Sequence, residues 1–503
     1  MKVLLIYPNK GPRGNTPIGL AMASAILKLK NCEVELFDTT FYEQDGITEK
    51  EIGEKNLDFK KVDLSIMGVV KEKVNILKKL QEKINVFKPD LIAFSFLSTH
   101  LVGEEEYEMC KRGINLLEKV NRYKALTFVG GLHPTFSPEE IILNKVVDII
   151  CIGEFEISLG ELVDKLENNK DITNIKNLWV KRDGKIYKNP LRELIQDLDT
   201  LPFLEFSIFN KKTFYRPYEG EIVRGVDFEI SRGCPYACTY CPTPLIRELY
   251  PNQKYHREKS IKRILEEAKF IKEKYNINFI KFHDENFLTM AEEKLEELAP
   301  LFKREVGIPF VVEVRPESIT KRKAELLREM GCVSASIGVE CGNEEYRKKW
   351  LNRHMTNKQI IEGIGFLKNS GIRTRSFNMI GLPFETRELI FDTIKLNKEA
   401  NVDSAAVAFF TPFKGTKLRG LCLKEGFIKE EDTLSPTRQD TALSLNTISK
   451  KELNGIMKTF IMYVNSPEWL YTLIKLAEGE DEFSKRLHEE LKDIFYKKIH
   501  SSN

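Results

Sequence analysis

The chain has few cysteines, an almost balanced charge and no long apolar run. Nine cysteines among 503 residues are too few for a disulfide framework, which predicts a reduced, cytoplasmic setting. Basic residues number 78 and acidic residues 75, a net charge of +3, so no basic stripe indicates a nucleic-acid partner. The apolar start, Val3–Ile6, is too short for a secretory or transmembrane segment. We expect a first strand there and no transmembrane segment.

Three of the cysteines lie together. The segment 232–242 has the sequence R-G-C-P-Y-A-C-T-Y-C-P, in which Cys234, Cys238 and Cys241 form a C-x3-C-x2-C spacing without a fourth cysteine nearby. Thiolates are soft ligands that hold iron–sulfur clusters. A four-iron cluster held by three thiolates leaves one iron open to bind something else. The alternative is a zinc site, but structural zinc takes four ligands, and the next histidine, His256, is fifteen residues further on.

The first 170 residues alternate short apolar runs with helical patterns, which predicts a parallel α/β sheet. In such sheets ligands bind beyond the carboxyl ends of the strands. Candidate strands are Lys2–Tyr7, Glu33–Phe37, Leu91–Phe96, Leu126–Val129 and Val147–Cys151. No G-x-G-x-x-G dinucleotide fingerprint is present, since the run from Gly11 to Gly14 is G-P-R-G.

A second α/β region follows a connector. Residues 171–215 form the connector, in which Asp183-Gly184 between apolar runs predicts a hairpin. Six strand–helix units then span about 216–420, and the cysteine segment follows the first of these strands, where barrel enzymes place their chemistry. Residues 421–503 are helical and polar, and we expect them to pack on the barrel and cover the substrate site.

The cysteine spacing, with Tyr240 just before the last cysteine, resembles the signature of the radical S-adenosylmethionine (SAM) enzymes. The six units resemble their partial (β/α)6 barrel. The resemblance implies a [4Fe-4S] cluster on Cys234, Cys238 and Cys241, with SAM on the open iron. It also implies cleavage of SAM to a 5′-deoxyadenosyl radical, with Tyr240 near the adenine, and a low-potential electron donor such as a flavodoxin or ferredoxin.

Further SAM contacts follow from the same resemblance. His283-Asp284-Glu285-Asn286-Phe287 resembles a D-D-x-F segment that binds the SAM amino group, and Glu340-Cys341-Gly342 resembles E-S-G. Arginine suits a methionyl carboxylate, so Arg315 or Arg375 is a candidate, although either one could instead brace a neighbouring acid. The expected SAM residues are Tyr240, Asp284, Glu285, Arg315, Glu340, Arg375, Asn378 and Gly381, the last two in a turn resembling G-L-P-x-E-T.

Cys341 replaces the serine of the family pattern. It is a candidate reactive thiol or hydrogen donor, and the alternative is a buried, inert cysteine.

The first domain resembles the cobalamin-binding domain that precedes one large group of these barrels. The resemblance rests on Pro17-Ile18-Gly19-Leu20, on Gly130 to Thr135 (G-G-L-H-P-T) and on Gly153 to Glu156, where Phe155 replaces a glycine. A nucleotide-binding or purely structural Rossmann domain is the alternative. The implied cobalamin contacts are Thr16, Ile18, Gly19, Ser95, Ser98, Gly130, Gly131, His133, Gly153 and Glu154.

The D-x-H-x-x-G motif that supplies a histidine ligand to cobalt in methionine synthase-like proteins is missing. His100 and His133 are candidate contacts to the cofactor's nucleotide tail, and each is as readily a loop residue that forms hydrogen bonds.

The combined resemblance implies a cobalamin-dependent radical SAM enzyme working in an anaerobic setting. The expected reaction is methyl transfer from methylcobalamin to an unactivated carbon of a small molecule, lipid or peptide, after a substrate hydrogen is abstracted. Ring formation, rearrangement or oxidation without methyl transfer is the enzymatic alternative. The non-enzymatic alternative is a corrinoid carrier or sensor with a catalytically silent barrel.

Overall fold

The computed structural model describes residues 1–12, 16–45, 62–96, 104–430, 432 and 440–500. Two seven-stranded sheets make up the α/β part of the chain. Ser98 and His100, expected to lie near a cofactor, fall outside the described residues.

The first sheet confirms the parallel α/β prediction. Its order is β2-β1-β3-β4-β5-β6-β7, and β1 pairs in parallel with both β2 and β3. Burial of β1 on both faces explains its continuous apolar sequence. The strands are β1 (Lys2–Tyr7), β2 (Glu33–Asp38), β3 (Leu91–Phe94), β4 (Leu126–Val129), β5 (Ile149–Cys151), β6 (Leu178–Arg182) and β7 (Lys185–Lys188).

The hairpin expected in the connector is present and extends this sheet. Strands β6 and β7 are antiparallel, and β6 pairs with β5. Asp183 and Gly184 both have positive φ, 50° and 74°, the pattern of a type I′ turn that matches strand twist. Residues 178–188 are therefore part of the first sheet.

The second sheet is a half-barrel of six parallel strands with one antiparallel strand at its edge. Its order is β16-β15-β14-β13-β12-β9-β8, so the two end strands do not pair and the barrel stays open. The strands are β8 (Tyr215–Tyr218), β9 (Glu221–Phe228), β12 (Phe279–Phe282), β13 (Phe310–Val314), β14 (Cys332–Glu340), β15 (Arg373–Ile380) and β16 (Ser404–Phe409). A separate pair, β10 (Ser231–Arg232) and β11 (Arg257–Glu258), lies beside the cysteine segment.

The helices follow the strands as the alternation predicted. In the first domain they are α1 (Ile18–Leu29), α2 (Ile76–Phe87), α3 (Glu104–Glu118), α4 (Leu132–Phe136), α5 (Pro138–Ile142) and α6 (Glu156–Glu167). In the barrel they are α7 (Thr243–Glu248), α8 (Ile261–Tyr275), α9 (Glu292–Glu305), α10 (Lys321–Met330), α11 (Glu344–Leu351), α12 (Asn357–Asn369), α13 (Arg387–Glu399) and α14 (Lys417–Lys424). The C-terminal helices are α15 (Lys450–Val464), α16 (Tyr471–Leu476) and α17 (Glu482–His500).

One apolar core runs through the whole molecule. It joins β1 and α1 of the first domain to β9, β12 and β14 of the barrel and continues into α15. The C-terminal helices are also tied to the barrel by charge, because Arg387 on α13 forms a two-point pair with Glu478, at 2.6 and 2.9 Å. Among the described residues, no helix combines the length and apolar character needed to cross a bilayer.

Candidate functional site

The cysteine segment lies at the carboxyl edge of the first barrel strand. Strand β9 ends at Phe228, and the short strand β10 leads directly into Cys234. All three thiols are free, Cys238 buried and the other two half-buried. Burial raises the pKa of Cys234 to about 12 and that of Cys241 to about 11. A bound metal favours the thiolate form of such groups.

This donor set suits an iron–sulfur cluster better than a single ion. In the part of the chain that the structure describes, no three Cys, His, Asp or Glu side chains converge on one metal position, as structural zinc requires. The thiols of Cys238 and Cys241 nevertheless lie near enough to Cys234 to help raise its pKa, and Cys238 also helps raise the pKa of Cys241. Three thiolates from one short segment are the ligand set of an iron–sulfur cluster with one open iron.

Arg315, expected at a SAM carboxylate, contacts a cysteine and a neighbouring acid. Its Nη1 donates to Cys238 Sγ at 2.8 Å, and its Nε donates to Glu317 Oε1 at 2.9 Å. The guanidinium also stacks over the Tyr236 ring, 3.8 Å from its centre. The structure therefore places Arg315 as a brace of Glu317 and a donor to the cysteine segment.

Tyr240 and Glu340 lie together at the mouth of the half-barrel. The hydroxyl of Tyr240 accepts a hydrogen bond from Arg353 Nη1 at 3.1 Å, and Arg353 lies 3.9 Å from Glu340 Oε1. Glu340 ends β14 with a φ of 69°, which is uncommon for a residue other than glycine. Burial raises the pKa of Glu340, and Arg353 opposes that shift.

The two acids after β12 have different surroundings. Asp284 is fully buried and accepts hydrogen bonds from the Ser231 backbone N at 2.6 Å and from the Ser231 hydroxyl at 2.5 Å. Burial raises the pKa of Asp284 to about 7, despite these donors. Glu285 is half-buried and lines the cavity described below. Asp284 thus supports the base of the cysteine segment from within, whereas Glu285 lines the cavity.

Two other predicted residues, Asn378 and Gly381, are held by the protein itself, and a third, Arg375, lies far from the carboxyl end of its strand. Asn378 is buried; its Oδ1 accepts a hydrogen bond from Asn397 Nδ2 at 2.8 Å, and its Nδ2 donates to Ala406 O at 2.9 Å. Gly381 has a φ of 76°, and its N–H donates to Glu385 at 2.6 Å. Arg375 is the third residue of the eight-residue strand β15, which puts it about 16 Å from the carboxyl end of that strand.

Cys341 has the properties of an inert thiol. It is fully buried in an apolar cluster with Leu351, Leu382 and Phe410. Burial raises the pKa of Cys341 to about 12, whereas reactive cysteines are exposed and have a lowered pKa.

A cavity lies between the first sheet and the half-barrel, with a volume of about 140 Å³. Its first-domain wall includes five of the expected cobalamin residues, and its barrel wall includes Arg232 and Gly233 just before Cys234. The five residues are Ile18, Gly19, Gly131, Gly153 and Glu154. The crevice therefore lies at the carboxyl ends of the strands, as the sequence predicted, and next to the cysteine segment.

The fit of this crevice to a corrinoid is partial. Sites that bury a drug-sized ligand have about 300–1,000 Å³, so the cavity holds only part of such a cofactor. Protein atoms already occupy the space beside two of these glycines. A Cβ on Gly19 would lie 1.7 Å from Phe96 O, and one on Gly153 would lie 1.9 Å from the Tyr250 hydroxyl. Ser95 has a φ of 65° and a buried hydroxyl without a hydrogen-bond partner among the described residues.

The other expected cobalamin residues that the structure describes are not in the cavity wall. His133 is fully buried, with Nε2 3.7 Å from Glu140 Oε1, and burial lowers its pKa. Gly130 packs under Phe96. Thr16 pairs with Asp227 of the barrel: its hydroxyl donates to Oδ2 at 2.9 Å and accepts from the Asp227 N–H at 2.8 Å.

Sequence reasoning missed the charged groups that join the two domains. Asp227, the next-to-last residue of β9, also binds Arg216 at 3.1 Å and His283 Nε2 at 2.7 Å. Arg232 and Arg257 bind acids of the first domain. Arg232 belongs to the cysteine segment and His283 to the acidic segment after β12. Their partners were not predicted because they depend on how the domains pack.

Two family models match the chain. The radical SAM superfamily model matches residues 228–396, and the B12 binding domain model matches residues 14–163. The first match includes the cysteine segment and most of the half-barrel, and the second includes the first-domain wall of the cavity.

Similar proteins extend over nearly the whole chain. An uncharacterized methyltransferase of Pyrococcus horikoshii is 26% identical over 99% of this chain and 99% of that protein. The cytidylyl-2-hydroxyethylphosphonate methyltransferase of Streptomyces wedmorensis is 22% identical over 86% of this chain and 84% of that protein. An anaerobic magnesium-protoporphyrin IX monomethyl ester cyclase of Rubrivivax gelatinosus is 25% identical over 67% of this chain and 59% of that protein.

Solved structures share the fold. The radical SAM methyltransferase TsrM from Kitasatospora setae superposes with a TM-score of 0.63 at 16% identity, covering 93% of this chain and 84% of that one. The cobalamin-dependent radical enzyme OxsB gives a TM-score of 0.61 at 16% identity, covering 99% of this chain and 71% of that one.

The fold and the two matched models define the chain as a radical SAM enzyme. More particularly, it belongs to the radical SAM enzymes that carry a cobalamin-binding domain. Its cofactors are accordingly a [4Fe-4S] cluster, SAM and cobalamin, which confirms the family, fold and cofactors predicted from the sequence.

Proposed function

We propose that the chain is a cobalamin-dependent radical SAM methyltransferase acting on an unactivated carbon. The observation that carries the proposal is that one cavity is lined both by the B12-domain turn at Gly153 and by Gly233, the residue before Cys234. Two cofactor sites that share a wall favour a reaction in which a radical is formed at one site and a group from the other site is transferred to that radical. The full-length similarity to proteins named methyltransferases supports it.

In this proposal Cys234, Cys238 and Cys241 hold the cluster, and the half-barrel mouth holds SAM. When bound, the cluster and SAM would supply the 5′-deoxyadenosyl radical that removes a substrate hydrogen, and methylcobalamin would supply the methyl group. The protein's task is to fix distances and exclude water. Tyr240 and Glu340 shape the mouth through Arg353, and Glu285 faces the interdomain cavity.

Individual residues take different parts. Ile18, Gly19, Gly131 and Gly153 form the corrinoid wall, as the cavity lining supports. Asp284, Asn378 and Gly381 act through the backbone that they hold, because their polar groups bind the protein itself. The C-terminal helices, from about residue 421, cover the substrate, which we take to be a small molecule, lipid or peptide.

The similarity to the Rubrivivax cyclase supports a second candidate, ring formation without methyl transfer. The two differ in how SAM is consumed. We expect anaerobically reconstituted enzyme, given cobalamin, a flavodoxin-type reductant and SAM, to form S-adenosylhomocysteine as well as 5′-deoxyadenosine. Formation of 5′-deoxyadenosine without S-adenosylhomocysteine would favour the cyclase-type reaction, and absence of SAM cleavage would favour a non-catalytic corrinoid protein.

A further inference from the structure

Two arginines of the barrel form ion pairs with the turn at residues 153–156 of the first domain. Glu154 Oε1 lies 2.8 Å from Arg257 Nη2 and 3.4 Å from Arg232 Nη1, and Glu156 Oε1 lies 2.6 Å from Arg232 Nη1. The second oxygen of Glu154 accepts from Arg257 Nη1 at 3.1 Å and from the Ile195 N–H at 3.0 Å. Both oxygens of Glu154 therefore bind protein groups.

Arg232 is also held from its own domain. Its Nε donates to Glu229 Oε1 at 2.9 Å, so one guanidinium joins carboxylates of the first domain and of the barrel. Its side chain is 16% exposed and those of Glu156 and Glu229 are 4% and 10% exposed. At this burial an arginine that bridges several acids fixes their relative positions, because leaving any of these charges unpaired is costly.

These arginine contacts lie next to the cysteine segment, and the backbone between them is tightly packed. Arg232 pairs with Arg257 across the β10–β11 ladder, and Cys234 is two residues further on. The intervening Gly233 has a φ of 86°, and a Cβ there would lie 2.4 Å from Tyr255 O. Because the backbone is packed at Gly233, a displacement of Arg232 moves Cys234 as well.

The same groups line the interdomain cavity. Gly153, Glu154 and Glu156 form one side of it, and Arg232 and Arg257 form another. The volume of about 140 Å³ means that a large ligand entering from the first domain must press on the turn and on the arginines together.

We propose that Arg232 and Glu154 are positioning residues that form an interdomain clasp (Glu154, Glu156, Glu229, Arg232 and Arg257) coupling the corrinoid site to the SAM site. Cobalamin bound against the first-domain wall orders the 153–156 turn, and through Arg232 it orders Cys234 and the SAM site next to it. Each cofactor therefore tightens the binding of the other, because a coupling free energy between two sites is reciprocal. The inference rests on the cysteine assignment made under Proposed function.

The test is a binding cycle on the full chain with its cluster reconstituted anaerobically. Equilibrium dialysis with radiolabelled SAM gives the SAM dissociation constant with and without saturating hydroxocobalamin. We expect hydroxocobalamin to tighten SAM binding in the wild-type protein by about 5-fold or more, the lower range of measured coupling. The electron paramagnetic resonance signal of the reduced cluster, which SAM perturbs, serves as a second readout.

In the variant Arg232→Gln, hydroxocobalamin should no longer change the affinity for SAM, whatever affinity the variant has for each cofactor alone. Arg232→Lys should restore part of the coupling. The matched control is Arg192→Gln, which removes an arginine of the connector that is paired with Glu161 of the first domain at 2.6 Å and lies outside the cavity wall. It should keep full coupling.

Full coupling in Arg232→Gln, or no coupling in the wild type, would overturn the clasp. If Arg232→Gln does not fold, Glu154→Gln takes its place and should also lose the effect of hydroxocobalamin on SAM affinity, since its amide oxygen can still accept from the Ile195 N–H and keep the turn folded. Failure of the cysteine assignment is distinguishable, because the cluster absorbance itself would then survive loss of the three cysteines.

Discussion

Arg315 donates a hydrogen bond from Nη1 to Sγ of Cys238 across 2.8 Å. The two residues are 77 positions apart. Arg315 directly follows the third parallel strand of the half-barrel, which ends at Val314, and Cys238 lies in the cysteine segment. Glu317 and the face of Tyr236 hold the guanidinium in this position. A cation fixed beside a cluster ligand affects electron transfer as well as packing.

Replacing Arg315 with methionine should lower the reduction potential of the cluster. Hydrogen bonds and positive charge near the ligand sulfurs stabilise the reduced, more negative state. Potentiometric titration followed by electron paramagnetic resonance measures the midpoint. The control is Arg328→Met, on an exposed face of α10, which should leave the midpoint unchanged. An unchanged midpoint in Arg315→Met would argue against a tuning role.

Replacing Cys234, Cys238 or Cys241 with alanine should abolish the visible absorbance of the cluster and the formation of 5′-deoxyadenosine together. Loss of one of three thiolates leaves a second iron without a protein ligand. The control is Cys332→Ala, a buried cysteine at the start of β14, which should keep both. SAM cleavage that persists in any of the three variants contradicts the assignment.

Asp227→Asn should destabilise the protein by about 3–5 kcal/mol, because it leaves Arg216 buried without its counter-charge. Burial opposes ionisation of Asp227, but Arg216 and His283 hold its pKa well below the usual value. The stabilisation is therefore present above the unfolded pKa and is lost as pH falls. Denaturant unfolding at neutral pH measures the change. The exposed pair of Lys2 and Glu33 supplies the control Glu33→Gln, expected at about 0–1 kcal/mol.

Glu385→Gln should flatten the dependence of stability on pH. Burial raises the pKa of Glu385 from 4.5 to about 8, although the amides of Gly381 and Leu382 donate to it. The folded state therefore binds more protons than the unfolded state between these values, and wild-type stability falls as pH rises from about 4.5 to 8. Thermal midpoints across that range test this. The exposed Glu388→Gln should keep the wild-type slope, and an equal slope in Glu385→Gln would contradict the expectation.

The strands and the cysteine loop were predictable because their causes are local. Strand β1 is buried on both faces from Val3 onward, and its sequence from Val3 to Ile6 is continuously apolar. The hairpin followed from Asp183-Gly184, whose backbone takes the positive φ angles that this pair favours. The position of Cys234 after the first barrel strand followed from the order of elements alone.

The partners of the charged residues were not predictable, because they depend on how the two domains pack. Thr16 and Asp227 are 211 residues apart and meet across the interface. Glu154 belongs to a motif that suggested a cofactor contact, yet both of its oxygens bind protein donors. A short sequence motif determines the position of a residue in the turn, but the contacts of its side chain depend on the neighbouring domain.

The central claim is that this chain consumes SAM in two ways, once through the radical and once through methyl transfer. The most direct measurement uses SAM with a deuterated methyl group on anaerobically reconstituted enzyme loaded with hydroxocobalamin and given a reductant. Methyl transfer predicts S-adenosylhomocysteine together with deuterated methyl on the bound cobalamin, and radical cleavage predicts 5′-deoxyadenosine with labelled methionine. Finding both product pairs would support the account. Finding all of the label in methionine, with no S-adenosylhomocysteine, would contradict it.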